Sequence, residues 1–110
     1  MINRRKLNRK DLQAALDAGR IEWQKHALER MFERGIKREA VKHIIAEGDI
    51  IEEYPDDAPF PSALIFGYWH NGPLHVVIAC DYSTEWIYVI TAYKPDLEHF
   101  ESDFKTRRKK

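Results

Sequence analysis

Cysteine is nearly absent from this chain. Cys80 stands alone, so no internal disulfide can form and no cysteine pair has zinc-ligand spacing. Long apolar runs and a hydrophobic leader are also missing, which predicts a cytoplasmic protein that does not enter a membrane. The sequence has no glycine-rich phosphate loop, no G-x-S-x-G elbow, no Cys/His nucleophile pattern and no His/Asp/Glu grouping of a known zinc type. Neither a metal nor a cofactor is expected. Net charge is lacking as well, since 18 Lys and Arg balance 18 Asp and Glu over 110 residues. That length sets one domain, large enough to bury its own core.

The zero balance hides a strong asymmetry. Arg4, Arg5, Lys6, Arg9 and Lys10 crowd the first ten residues, and five more bases fill 105–110. All 18 acids lie between 11 and 104 against 8 bases, leaving that body with a charge of −10. Basic ends can hold phosphate backbones through counterion release, or fold back on their own acidic body. The chain accordingly divides into a basic N-terminal arm with a short helix (1–21), a single α+β domain (22–104) and a basic tail (105–110).

Periodicity fills in the elements. Asn8 can cap a helix that buries Leu12, Ala15 and Leu16 and ends at Gly19. A second helix is expected from Trp23 to Arg34, with Ala27, Leu28, Met31 and Phe32 on its apolar arc, and a third from Lys37 to Glu47, with Val41, Ile44 and Ile45 inward. Gly35 and Gly48 stop them, making an αα-hairpin. Beyond Gly48 the pattern changes to "DIIEEY", a proline-spaced loop, then "ALIFGYW", "LHVVIAC" and "WIYVITAY", rich in β-branched and aromatic residues. Asn71-Gly72 is a hairpin signal. The fold class is α+β: N-terminal helices packed on a small four-stranded antiparallel sheet. Leu97, Phe100 and Phe104 have the spacing of a short C-terminal helix.

The candidate site residues come from two places. In "HALERMFERGI", His26, Arg30 and Arg34 recur every fourth residue and span an arc of about 80° beside the apolar face. The strip is either a charged helix edge paired with acids such as Glu33, or the positive wall of a phosphate-handling cleft. In "VITAYKP", alternation puts Val89, Thr91 and Tyr93 on one face and Ile90, Ala92 and Lys94 on the other, with hydroxyls emerging at the strand's end. His75 shares a strand face with Val77 and Ala79, the position of a buried or half-buried histidine held by hydrogen bonding. His43, His70 and His99 read as surface or turn residues.

"HALERMFERGI", "AEGDIIEEYPDD", "PSALIFG", "PLHVVIA" and "VITAYKPD", in this order and spacing, resemble the domain of unknown function 4258 family over about residues 22–97. That family is similar to RelE/BrnT-type toxins and, more widely, to the metal-independent ribonuclease fold of barnase-like, colicin-type and RelE-type nucleases. The resemblance implies a bacterial toxin-antitoxin setting, with an RNA substrate and a cognate antitoxin as partners. It also implies a site formed by a histidine and arginine on the N-terminal helix with a hydroxyl or aromatic residue on a late strand. His26, Arg30 and Thr91 take the catalytic positions, and Arg34, Tyr93, Lys94 and His75 the substrate-binding ones. The acidic body departs from the basic character usual in ribosome-bound toxins of this kind. A non-catalytic binding or regulatory module on the same fold is the other class. An open cleft holding His26, Arg30 and Thr91 favours the enzyme, and a cleft filled by the chain's own tail favours the module.

Overall fold

A computed structural model describes residues 7–70 and 72–109. In chain order the elements are α1 (Arg9–Asp17), β1 (Ile21–Trp23), α2 (Lys25–Arg34), α3 (Arg38–Glu47), β2 (Asp49–Tyr54), β3 (Ser62–Trp69), β4 (Gly72–Asp81) and β5 (Trp86–Tyr93). The helix boundaries follow local chemistry. Asn8 caps α1 by accepting the Asp11 N–H at 2.9 Å, and Gly35 ends α2 in the left-handed conformation, which costs glycine nothing. Arg4, Arg5 and Lys6 of the N-terminal basic cluster, and Asn71 of the hairpin signal, lie outside the described residues. The hairpin itself closes at the Trp69–Gly72 pair, with His70 at φ 56°.

The sheet has five strands in the order β1-β5-β4-β3-β2, one more than the sequence pattern suggests. β2 through β5 pair antiparallel, but β1 runs parallel to β5 through Ile21–Ile87, Glu22–Tyr88 and Trp23–Val89. Trp23 therefore belongs to a strand. Three residues are too few to display alternation, and Trp23 also fits the apolar arc of the following helix, so the pattern merged the two elements. Gln24 still donates its N–H to the Val89 carbonyl, at 3.3 Å, before α2 begins.

The main core lies between the helices and one face of the sheet. Ala27 and Met31 of α2, Val41, Ile44 and Ile45 of α3, and Leu12 and Ala15 of α1 meet Ala63, Ile65, Val76, Ile78, Ile87, Val89 and Ala92. α3 packs on α1, β3 and β4, while α2 packs on β5. Phe32, expected in the apolar arc of α2, is 89% exposed; the buried arc is narrower and holds Ala27 and Met31.

Residues 95–109 do not form the C-terminal helix that the spacing of Leu97, Phe100 and Phe104 suggested. Aspartates at two points offer the backbone another partner. Asp96 Oδ1 accepts the N–H groups of Glu98 and His99, and Asp103 Oδ1 those of Lys105 and Thr106. Such side-chain caps compete with helix propagation. The segment turns twice, pairs Phe100 with Arg107 in an isolated bridge, and lies as a strap on the sheet face away from the helices. Phe100 is buried there with Leu64, Phe66, His75 and Ala79, while Leu97 is exposed. No helix among the described residues is long and apolar enough to cross a membrane.

Candidate functional site

The strip on α2 is not parallel to the helix axis. Each step of four residues turns about 40°, so His26, Arg30 and Arg34 rotate progressively toward the buried arc. Arg34, nearest to it, reaches the sheet: its Nη1 donates to the Ala92 carbonyl at 2.9 Å and to Thr91 Oγ1 at 3.4 Å. Arg30 stays in solvent, 3.8 Å from Glu33, and His26 Nδ1 lies 3.5 Å from Glu29 Oε1 with 89% of its side chain exposed. The two possibilities for the strip are therefore divided along its length. Its first two groups lie beside carboxylates of their own helix, contacts of the ordinary surface kind that hold them only weakly. The third clamps a strand.

Arg34 can do this because β1 covers only Ile87 to Val89 of β5. Beyond Val89 that edge has no strand partner among the described residues, and α2 passes along it. A bulge sits here as well: Val77 pairs with Thr91 but Ile78 with Val89, leaving Ile90 as the extra residue, 41% exposed. The bulge breaks the expected alternation. Val89 and Ala92 both enter the helix-side core, while Thr91 and Tyr93 face the other side.

On that other face, Thr91 and Tyr93 open a polar band running toward β2. Tyr93 is directly opposite His75. The Phe104 carbonyl can only accept, so His75 Nε2 donates to it, at 2.7 Å, and Nδ1 is left to accept the Tyr93 hydroxyl at 3.2 Å. Burial pushes the His75 pKa down, partly offset by its bond to Phe104, and burial pushes the Tyr93 hydroxyl up. Phe100 stands edge-on to the imidazole, 4.6 Å between ring centres.

Next in the band comes Glu52. Arg107 of the strap donates to it twice, Nε to Oε2 at 2.8 Å and Nη2 to Oε1 at 3.1 Å, and the Tyr54 hydroxyl donates to it as well. Partial burial pushes the Glu52 pKa up, but the Arg107 and Tyr54 hydrogen bonds outweigh it and hold the carboxyl below its usual range. Two more bases of the tail also fold back on acids. Lys105 pairs with Asp49 at 3.2 Å and Arg108 with Glu101 at 3.3 Å; at the other end Arg9 reaches Asp49 at 3.6 Å.

Of the residues singled out in the sequence, Arg34, Thr91, Tyr93 and His75 thus lie along one band from the α2 edge across β5 and β4. His26 and Arg30 continue it outward along α2. Lys94 turns away, into a cleft of about 430 Å³ at the β3–β4 hairpin end. Glu52, Tyr54 and Arg107 carried no motif. The available signal was the alternation of Glu52 and Tyr54 in "DIIEEY", which puts both on one face, whereas Arg107 read only as part of a basic tail. Among the described residues no group of three or more His, Cys, Asp or Glu side chains gathers as a metal site. Cys80 is buried and its thiol is pushed up to about 12, chiefly by burial.

These features define a small α+β domain with helices on one face of its sheet and a polar band on the other. The chain belongs to the family described as domain of unknown function (DUF4258), whose model matches residues 23–94. Comparison with curated proteins and with solved structures gives no match. α1 and the strap lie outside the matched segment.

Proposed function

We propose that this chain binds RNA along α2 and the free edge of β5 and cleaves it without a metal, as a toxin-type endoribonuclease related to RelE/BrnT-type toxins and countered by a cognate antitoxin. The observation that supports this most is the Arg34 clamp on Thr91 and the Ala92 carbonyl. It fixes one end of a basic strip against the strand that carries the hydroxyls. From His26 to Arg34 the strip is about 12 Å long, enough for consecutive phosphates of an extended strand.

Cleavage in this reading begins when His26 takes the proton of a ribose 2′-hydroxyl. Glu29 beside Nδ1 favours the proton on that nitrogen and leaves the Nε2 lone pair as the base. The 2′-oxygen attacks phosphorus, and Arg30 and Arg34 hold the nonbridging oxygens of the phosphorane, for which a planar guanidinium is suited. The 5′-oxygen departs with a proton from solvent, leaving a 2′,3′-cyclic phosphate.

The strap over His75 favours a second reading, a binding module whose covered band is structural. Substitution separates the two. His26→Ala and Arg30→Ala should each lower RNA cleavage about 100- to 10,000-fold with unchanged thermal unfolding, because both side chains lie outside the core. Cleavage should persist in EDTA and fail on RNA with a 2′-deoxy residue at the cut site. Activity that survives both substitutions refutes the mechanism, and inactivity of the wild-type chain on any RNA leaves the binding module.

A further inference from the structure

The cleft of about 430 Å³ lined by Lys94 is also lined by Gly35, the residue after Arg34. Its size is that of a small-ligand site. Three kinds of group line it. Lys37 and Lys94 supply positive charge, and neither has an ion-pair partner among the described residues. Trp69 and His70 bring aromatic rings, their centres 4.7 Å apart in an edge-to-face arrangement, and buried Leu74 adds an apolar surface. One carboxylate, Glu39, is the sole acid in the lining.

We propose that this cleft is a nucleoside pocket that selects guanine, taking the base next to the phosphate bound at Arg34. The inference deepens the RNA reading above and rests on it. The two cations suit phosphate, and the aromatic rings suit the faces of an unstacked base. Glu39 supplies the selection. A carboxylate can accept two parallel hydrogen bonds, and on the edge that pairs in a duplex only guanine offers two adjacent donors, N1–H and the N2 amino group. Adenine and cytosine offer an amino group beside an acceptor, and uracil a single N–H. A base read on that edge must be unpaired, so the ligand is single-stranded.

The test uses the full chain and free mononucleotides, so that binding is read without cleavage. GMP, AMP, CMP and UMP are titrated while the Trp69 indole N–H is followed by NMR, assigned through Trp69→Phe. GMP should shift this signal and bind about tenfold more tightly than UMP, the size expected for hydrogen bonds to a charged group. Glu39→Gln should remove the preference while retaining binding, and Lys94→Glu should weaken all four nucleotides together. A Trp69 signal unmoved by every nucleotide overturns the proposal, as does a guanine preference that survives Glu39→Gln. A single-stranded hexamer with one central guanosine should bind more tightly than GMP; equal affinity would overturn the RNA assignment in favour of a free nucleotide. Loss of the cleavage mechanism on His26→Ala does not bear on these shifts, so failure of the pocket and failure of the catalytic reading are separately visible.

Discussion

His75 has no exposed surface, and both of its ring nitrogens are engaged with neutral partners, the Phe104 carbonyl and the Tyr93 hydroxyl. Charging it in that place is unfavourable, so its folded pKa is below the ordinary 6.5, with burial the largest cause. The unfolded chain therefore binds this proton more readily than the folded one. Stability from this group is complete above about pH 6.5 and declines as the pH falls from there toward the folded pKa, by at most about 1.4 kcal/mol per pH unit. Denaturant unfolding followed from pH 7.5 to 5 should show this decline, and His75→Gln should flatten it. Glu52 does not confuse the reading, because its lowered pKa puts its own loss of stability at pH values below its ordinary 4.5. Half of this environment was legible in the sequence. Alternation with Val77 and Ala79 identified the buried face, but the carbonyl that satisfies Nε2 comes from a turn 29 residues away, which no local pattern encodes.

At the scale of elements, α3 and the sheet meet closely at Gly48. Gly48 ends α3 in ordinary extended geometry, so its importance is one of space and not of backbone freedom. A Cβ placed there would stand 2.5 Å from the Ile44 carbonyl oxygen and 2.6 Å from that of Phe66, both backbone atoms that cannot turn aside. Gly48→Ala should cost about 1–3 kcal/mol, read as a lower denaturant midpoint with an unchanged slope. Long periodic elements were well read from the sequence: α1, α3 and strands β2 to β5 all occur near their expected positions. The failures have separate physical causes. β1 is too short to show a period, the bulge at Ile90 inverts the alternation after Val89, and Asp96 and Asp103 satisfy backbone N–H groups that a C-terminal helix would have used. The candidate site suffered from the bulge most directly, since strict alternation put Thr91 with Val89 and hid that the hydroxyls share a face with His75.

For the whole molecule, the segment matched by the family, 23–94, is covered on one sheet face by helices that include α1 and on the other by the strap, so chain outside the matched segment contributes to both layers. Charge is arranged in the same way: among the described residues, Arg9, Lys105, Arg107 and Arg108 all lie against acids of their own chain, which explains how basic ends and an acidic body coexist at zero net charge. The Arg34 clamp has a consequence at this scale too. A sheet that ended at β5 beyond Val89 would offer free carbonyl and amide groups to any other strand, the usual start of edge-to-edge aggregation. Arg34 takes the Ala92 carbonyl, and the bulge at Ile90 makes the remainder a poor template. At the opposite edge, β2 carries Asp49, Glu52 and Glu53 and its own register break between Ile50 and Glu52. The stretch of β5 beyond Val89 and the β2 margin are thus both poor templates for a neighbouring copy. Arg34→Ala should leave the folded monomer intact at low concentration but make it self-associate as concentration rises, visible as growing light scattering and thioflavin-positive material that the wild-type chain does not form. The guanidinium proposed to hold phosphate therefore also keeps the protein from polymerising through its own backbone.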